Sequence, residues 1–302
     1  MKKGMFADSA LLFVAFIWGA TFVIVQKAIA YMPPHLFNSV RFFIAAVCLI
    51  SIAIFIKRKV LYKMYSIKLV IAGVILGSFL FLGYAFQTVG LLYTTSSKAG
   101  FITGLSVMIV PFLSLWVIKE KPKVVVFAGA FLGCIGLYYL TIGDVQGLNG
   151  GDMLIFLCAI FFALHIVFTG KYSGQNDALS LTIVQLLTVS VLSFFSFLLF
   201  EKSEISSFKR LIHQDVIVAL IITSFFATAL AFLIQTKFQQ FTTSAKVALI
   251  FAMEPVFAAL TAFIVIEEKL STSGIIGCLF IFTAMIVSEI PDKWLNKSLK
   301  SV

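Results

Sequence analysis

The sequence predicts an all-α integral membrane protein of ten transmembrane helices, arranged as two inverted five-helix repeats. Hydrophobic residues make up 61% of the 302 residues, charged residues only 12%, and the mean hydropathy is +1.09. Soluble domains carry about 25% charged residues, so this chain has too few of them to cover a water-facing surface. In addition, ten apolar runs follow one another along the chain, and one polar phrase occurs twice, 148 residues apart.

The ten apolar runs are close to the roughly 17 to 25 residues that cross about 30 Å of hydrocarbon as a helix. They are continuous and do not alternate with polar residues, which favours helices over the strands of a membrane barrel. The connections are short, so the chain forms one membrane bundle. Numbered here as spans 1 to 10, the runs cover residues 9–31, 36–56, 69–91, 96–118, 124–142, 153–170, 178–200, 216–236, 243–266 and 273–290.

The distribution of basic residues predicts the orientation of the bundle, because cytoplasmic connections retain an excess of Lys and Arg. With the N terminus inside, 15 of the 23 Lys and Arg residues lie in cytoplasmic segments, 4 lie outside and 4 lie in helices or at their ends. Both termini are therefore expected in the cytoplasm. The formal charge of +10 follows from this topology and needs no nucleic-acid partner.

The cysteines give no sign of a metal or a cofactor. Cys48, Cys134, Cys158 and Cys278 all lie inside apolar runs without CxxC spacing, which predicts packing residues and no metal site. The motif GxxxxGK[ST] does not occur in the sequence, so ATP is not expected as the direct energy source.

The repeated phrase is TTSSK at 94–98 and TTSAK at 242–246. Shifting the chain by 148 aligns residues 94–121 with 242–269 without a gap, and nine of the 28 pairs are identical. Two repeats are implied, residues 1–145 and residues 146–302, the second ending in a short basic tail. Because each holds five spans, the second copy is inverted, which is the architecture of many secondary transporters. The Thr and Ser hydroxyls of the phrase are expected to cap the helices that follow them, and the lysines to reach opposite membrane surfaces.

Four motifs occur in order: WGATF at 18–22, SVRF at 39–42, YTTSSKAGFITGL at 93–105 followed by Pro111 and Glu120, and MEPVFAALTAFIVIEEK at 253–269. In order and spacing they resemble the drug/metabolite transporter (DMT) superfamily, in its ten-helix EamA-type branch. The resemblance covers nearly the whole chain. It implies a multi-pass protein of the bacterial inner membrane that exports or exchanges small metabolites, with the substrate left open.

The second half departs from the first at two places. Gln185 stands where span 2 has Arg41, and His165 stands where span 1 has Thr21. The two halves are therefore not expected to play equal roles.

Glu254 is the most informative polar residue, because it lies near the middle of span 9. An acid at that depth costs at least about 2.5 kcal/mol on insertion scales, so it should face the bundle interior, where acids often carry protons or bind substrate. Pro255 follows directly and is expected to kink the helix by freeing the carbonyl near position 251. Alternatively, Glu254 ties this kink to a neighbouring helix through an ion pair with Arg41.

The remaining candidates can also be interpreted in two ways. Arg41 either reaches the outer interface or binds an anion or gate partner, and His165 is either a titrating group or a buried neutral ring. Trp18 and Tyr84 either form pocket walls or only pack. The substrate-path candidates are Trp18, Thr21, Arg41, Tyr84, Gln87, Ser106, His165, Gln185 and Glu254, with Glu254 as the coupling candidate and Pro111 and Pro255 as helix kinks.

The leading functional hypothesis is a secondary transporter that rocks about the pseudo-two-fold axis and holds its substrate near Glu254. Protons or the substrate gradient would drive it, and its partners would be a small-molecule substrate and the lipid bilayer. The alternatives are an intramembrane lipid-modifying enzyme and a non-transporting sensor or scaffold. An enzyme would need clustered acids or an acid with a histidine at a membrane face, and His35 and His213 stand alone in the sequence.

Overall fold

The computed structural model of the chain confirms the all-α membrane fold. Helices account for nearly all of the described residues, and no strand occurs among them. Within the described residues, eight helices are long and apolar enough to cross a membrane, and two shorter apolar helices, Val124–Tyr139 and Thr272–Val287, correspond to the other two predicted spans. The structure describes residues 2–56, 66–94, 96–141, 149–201, 213–266 and 271–288.

Seven spans are single helices. Span 1 begins at Lys2, well before the apolar run at residue 9, because backbone hydrogen bonding continues where the helix leaves the hydrocarbon. The seven helices are Lys2–Ile29, Pro34–Ile56, Ile67–Gly90, Val124–Thr141, Gly150–Ser173, Ala178–Phe200 and Thr272–Ser288, for spans 1, 2, 3, 5, 6, 7 and 10.

Spans 4, 8 and 9 are interrupted, which the apolar pattern did not predict. Span 4 consists of the helices Ser96–Gly104 and Ser106–Val117, and span 9 of Ser244–Phe251 and Glu254–Ile266. Span 8 consists of Gln214–Ile222, a π-helix Thr223–Leu230, Ala231–Phe238 and a short 3₁₀ turn Gln239–Phe241.

The two prolines act differently. Pro255 is the second residue of its helix, where its missing N–H costs nothing, and the interruption precedes it at residues 252–253. Pro111, the other predicted kink, lies inside the helix Ser106–Val117. The interruption of span 4 precedes this helix, at Leu105.

Side chains cap several helix starts, as expected for free backbone N–H groups. Thr243 accepts a hydrogen bond from the backbone N–H of Lys246 at 3.3 Å, which confirms the predicted cap in the second polar phrase. Its counterpart Thr95 lies outside the described residues. Thr94 instead donates a hydrogen bond to the Asp152 carboxylate, and Asp152 forms a capping box with Asn149 at the start of span 6.

The contacts between spans follow the internal repeat, in which spans 1 to 5 correspond to spans 6 to 10. Span 1 packs on spans 8 and 9, and span 6 packs on spans 3 and 4. Spans 2 and 7 pack on each other, as do spans 5 and 10. A two-fold relation between residues 1–145 and 146–302 would produce this pattern, because each contact then has an equivalent in the other half.

Spans 5 and 10 approach most closely at Gly136. A Cβ atom at this position would lie 2.8 Å from the Gly277 carbonyl oxygen and 2.8 Å from the Ile281 backbone nitrogen. Gly133, one turn earlier in the same helix, has room, because its nearest neighbour would be 3.8 Å away. Small residues at such positions let helix backbones meet in a bilayer, where the hydrophobic effect does not drive helices together.

We expect Gly136→Ala to destabilise the protein by about 1–3 kcal/mol, because the new methyl group would overlap backbone atoms that cannot move alone. Gly133→Ala is the matched control in the same helix. It should leave stability unchanged or raise it by up to about 1 kcal/mol, because alanine favours helix. Thermal unfolding in detergent measures both. Equal melting temperatures for the two variants would contradict the close approach of spans 5 and 10.

Candidate functional site

Spans 4 and 9 are interrupted at equivalent positions near the middle of the bundle. The N–H of Leu105 donates to the Ile102 carbonyl at 3.2 Å, and the N–H of Met253 donates to the Ile250 carbonyl at 3.1 Å. Met253 and Ile250 are the counterparts of Leu105 and Ile102 under the 148-residue shift. Backbone that leaves the regular helical pattern at membrane depth is tolerated where it borders protein or a water-filled cavity. Paired discontinuous helices of this kind indicate the substrate site in inverted-repeat transporters.

Glu254 is the first residue after the interruption of span 9. It is only half-buried, and no hydrogen bond or ion pair of its carboxylate occurs among the described residues. The carboxylate is near enough to the buried Tyr84 and Cys158 to interact with them electrostatically. The partly buried Glu254 therefore lies beside buried side chains of spans 3 and 6. It is also at the start of helix Glu254–Ile266, where the helix dipole favours a negative charge.

Span 1 passes directly beside Glu254 because it has a glycine there. A Cβ atom at Gly19 would lie only 2.4 Å from the Glu254 carbonyl oxygen and 2.9 Å from the Ala258 backbone nitrogen. Only glycine permits this approach without displacing backbone. The contact places Trp18, the residue before Gly19, at the same level as Glu254.

Aromatic rings enclose this region. Trp18 lies 4.9 Å from Phe251 and 5.4 Å from Phe232, measured between ring centroids. Tyr84 lies 5.2 Å from Phe162 in an edge-to-face arrangement. Trp18, Phe162 and Phe251 are only partly buried, so their rings also border accessible space. Both candidate wall residues, Trp18 and Tyr84, therefore lie in one aromatic cluster.

Arg41 is 3% exposed and does not reach the outer interface, contrary to one of the two interpretations from sequence. Its Nε donates to Thr228 Oγ1 at 2.7 Å and its Nη2 to the Ala227 carbonyl at 3.4 Å. The guanidinium also lies 5.1 Å from the centre of the Tyr84 ring. The described residues therefore hold Arg41 through neutral partners, and no ion pair with Glu254 occurs among them.

His165 and Gln185 form a buried polar chain. His165 Nε2 and Gln185 Oε1 are 3.0 Å apart, and Gln185 Nε2 donates to Thr236 Oγ1 at 3.1 Å. This matches the interpretation of His165 as a buried ring bonded to a neighbour. The ring is 5.8 Å from Phe232, which joins the chain to the aromatic cluster.

The other three candidates have different surroundings. Thr21 donates to the Ile17 carbonyl of its own helix at 2.8 Å, so its hydroxyl is already used. Ser106, the counterpart of Glu254, is partly buried at the interruption of span 4. Gln87 is 8% exposed, and its side chain has no hydrogen-bond partner among the described residues.

Several residues of the site carried no signal in the sequence. Phe162, Phe232 and Phe251 are three of 34 phenylalanines, so their type did not distinguish them. Ala227 and Thr228 lie in the π-helix of span 8, which the sequence did not predict. No group of three or more potential metal ligands occurs in the part of the chain that the structure describes.

The packing of spans 4 and 9 against each other differs between the two ends of the bundle. We call the end that carries Lys2 and Ser288 the inner end and the opposite one the outer end. The inner halves of spans 4 and 9, Ser106–Val117 and Ser244–Phe251, pack closely together. The outer halves, Ser96–Gly104 and Glu254–Ile266, scarcely touch, although the repeat makes the two contacts equivalent. The outer halves therefore pack less closely than the inner halves, and we call the region between them, next to Glu254, the outer crevice.

Polar contacts hold the inner end closed. Lys246 Nζ is 2.8 Å from Asp8 Oδ2, an ion pair that joins spans 1 and 9 at the inner end. Glu120 accepts a hydrogen bond from the Ser244 N–H at 3.4 Å. Burial raises the pKa of the Glu120 carboxyl, and the hydrogen bond from Ser244 opposes that rise. The side chain of Lys98, the counterpart of Lys246, lies outside the described residues.

Comparison with known proteins agrees with these features. The sequence profile of the EamA-like transporter family matches residues 5–142 and again 149–289. An uncharacterized transporter of Archaeoglobus fulgidus is 36% identical over 285 residues, which cover 94% of this chain and 86% of the relative. The uncharacterized transporter YyaM of Bacillus subtilis is 27% identical over 280 residues, which cover 90% and 89%. One crystal structure with 18% identity has the same fold, with a TM-score of 0.77 over 93% of this chain and 96% of that chain.

We expect Lys246→Ala to loosen the inner end. A partly exposed ion pair contributes up to about 1 kcal/mol, so the population of open inner ends should rise roughly two- to five-fold. A cysteine introduced at Ser173, which is 1% exposed at this end, would report the change through its labelling rate with a polar maleimide in a background without other cysteines.

The charge-exchanged variant Asp8→Lys/Lys246→Asp is the control for this prediction, because it can form the same ion pair in reverse. Its labelling rate should return towards that of the wild type. Equal labelling of the wild type and Lys246→Ala would show that the ion pair does not hold the inner end closed.

Proposed function

Because the chain belongs to the EamA-like transporter family, we propose that this multi-pass membrane transporter is a secondary exporter or exchanger of small molecules. The crevice that reaches Glu254 between the separated halves of spans 4 and 9 carries the proposal. In this proposal, a solute reaches the middle of the bundle from one side of the membrane between these half-helices. The opposite side is closed at the same time, as alternating access requires.

Exchange between two such states is the proposed mechanism. In the structure described here the outer halves of spans 4 and 9 are apart and the inner halves are together. The inverted repeat supplies a second arrangement of similar energy, in which the outer halves close and the inner halves separate. The turns at Leu105 and Met253 are the points about which the half-helices would reorient.

Glu254 is proposed to couple this exchange to protons. When the crevice opens outwards, a carboxylate at its base can take a proton from the outer solution while the substrate leaves. When the bundle opens inwards, the proton leaves and the substrate takes its place. One acidic side chain then binds either a proton or the substrate, and a proton gradient drives export.

The proposed location is the cell membrane of a bacterium, with both termini in the cytoplasm. The orientation rests on the 15 Lys and Arg residues placed inside and the 4 placed outside. The outer crevice then faces away from the cytoplasm. A proton gradient directed into the cell would in that case protonate Glu254 from the crevice side.

The first experiment compares metabolites in the medium of bacteria that express the wild type, Glu254→Gln or no transporter. We expect a small set of compounds to be enriched outside only with the wild type. Glutamine keeps the size and hydrogen-bonding capacity of the side chain but cannot carry a proton, so it should abolish gradient-driven transport. Untargeted mass spectrometry measures the compounds, and proteoliposomes then test exchange of the compound found.

Asp215→Asn is the matched control, because it removes an exposed carboxylate that pairs with His213 at the outer end. It should transport like the wild type. Equal enrichment by the wild type and Glu254→Gln would exclude the coupling role. No enrichment by any variant would argue against export and direct attention to uptake or to an intramembrane enzyme.

A further inference from the structure

The acidic group at the outer crevice has no basic partner in the part of the chain that the structure describes. Glu254 is partly buried, and none of the described residues forms an ion pair with it. Arg41, the basic residue that lies near the same tyrosine, is covered by the Tyr84 ring and donates to Thr228 and Ala227. A solute that enters the crevice therefore meets a carboxylate, whereas the positive charge is 3% exposed.

Aromatic rings lie on several elements around Glu254. Trp18 is held at the level of Glu254 by the close approach at Gly19, and Phe251 ends the half-helix that precedes the interruption before Glu254. Phe162 follows Cys158 by one turn on span 6, and Cys158 lies within electrostatic range of Glu254. The face of an aromatic ring attracts cations, and rings grouped around a site are the usual means of recognising quaternary ammonium groups.

Gln87 is a further polar residue close in sequence to this cluster. It lies one turn outward of Tyr84 on span 3, is 8% exposed and has no described partner for its side-chain amide. A ligand that hydrogen-bonds such an amide offsets the loss of its hydration. Gln87 is therefore available to orient a neutral polar group of the solute without changing the charge that the crevice prefers.

We propose that the outer crevice binds an organic monocation with an aromatic or compact apolar body, with Glu254 as its counter-ion and the rings of Trp18, Phe162 and Phe251 around it. This proposal rests on the proposed transport function and specifies its substrate class. An organic anion is repelled by the carboxylate in a region of low dielectric constant. A zwitterion would need an accessible positive group for its own carboxylate, and Arg41 is enclosed.

Binding should depend on pH through Glu254. The titratable groups that face it are Tyr84 on span 3 and Cys158 on span 6, with Arg41 on span 2 beyond the tyrosine. A permanent cation competes with the proton for the carboxylate, so its affinity should rise with pH until Glu254 is fully ionised. Without Glu254, this pH dependence should disappear.

Four probes with a common phenyl group separate the charge classes: phenethylamine, benzyltrimethylammonium, 3-phenylpropionate and phenylalanine. Their binding to the purified full-length protein in lipid nanodiscs is measured by isothermal titration calorimetry. We expect the two cations to bind and the anion and zwitterion to bind at least about tenfold more weakly, the difference that roughly 1.4 kcal/mol of electrostatic discrimination produces.

Two pairs of variants test the residues. Glu254→Gln should lower the affinity for benzyltrimethylammonium at least about tenfold and remove its pH dependence, whereas Asp215→Asn should change neither. Trp18→Leu should weaken binding roughly three- to thirty-fold, the range that a cation–π contact supplies. Trp116→Leu is its matched control, because Trp116 is 83% exposed on span 4 and lies outside the crevice.

Tighter binding of 3-phenylpropionate or phenylalanine than of the cations would overturn the proposal, as would binding of none of the four probes. Unchanged cation affinity in Glu254→Gln would also overturn it. Transport is scored separately with benzyltrimethylammonium in proteoliposomes under an imposed proton gradient. Cation binding without any gradient-driven movement would retain the site and reject the transport mechanism, so the two failures can be distinguished.

Discussion

A carboxylate without an ionic partner in the middle of a membrane span is the constraint on which the rest of the structure depends. An acid at the bilayer centre costs at least about 2.5 kcal/mol, and a helix N-terminus in a partly buried setting returns up to about 2 kcal/mol. The interruption of span 9 places Glu254 at such an N-terminus. The helix N-terminus therefore offsets part of this cost, and a positively charged ligand would offset more of it. The same interruption thus stabilises the carboxylate and leaves it available to a proton or a ligand.

The surrounding helices adapt to this acid through backbone contacts. Gly19 lets span 1 pack directly against the Glu254 carbonyl, so span 1 covers Glu254 on that side. On the other side, the Ala227 carbonyl of the π-helix accepts both Trp18 Nε1 at 2.9 Å and Arg41 Nη2 at 3.4 Å. One carbonyl group can accept two donors, so spans 1, 2 and 8 meet at a single point. A rearrangement of the π-helix would be transmitted to the ring of Trp18 and to the guanidinium beside Tyr84.

Equivalent parts of the two repeats have different environments in the folded chain. Asp8 pairs with Lys246 at the inner end, whereas its counterpart Asp152 accepts a hydrogen bond from Thr94 and caps span 6 at the outer end. Arg41 binds the π-helix of span 8, whereas its counterpart Gln185 joins His165 to Thr236. The duplication therefore supplies two similar frameworks, and a few polar side chains make their chemistry different.

The sequence by itself determined the all-α membrane fold, the approximate limits of the spans and the position of Glu254 near the middle of span 9. Those features depend on local hydrophobicity and on the cost of a charge in hydrocarbon, both of which can be read residue by residue. The turns at Leu105 and Met253, the π-helix and the choice of Phe162, Phe232 and Phe251 as ring neighbours were decided only by the tertiary structure. In a chain that is 61% hydrophobic, nearly every face of every helix is apolar, so periodicity does not reveal which faces meet. Helix packing decides that, and with it which carbonyl, ring or carboxylate is left accessible.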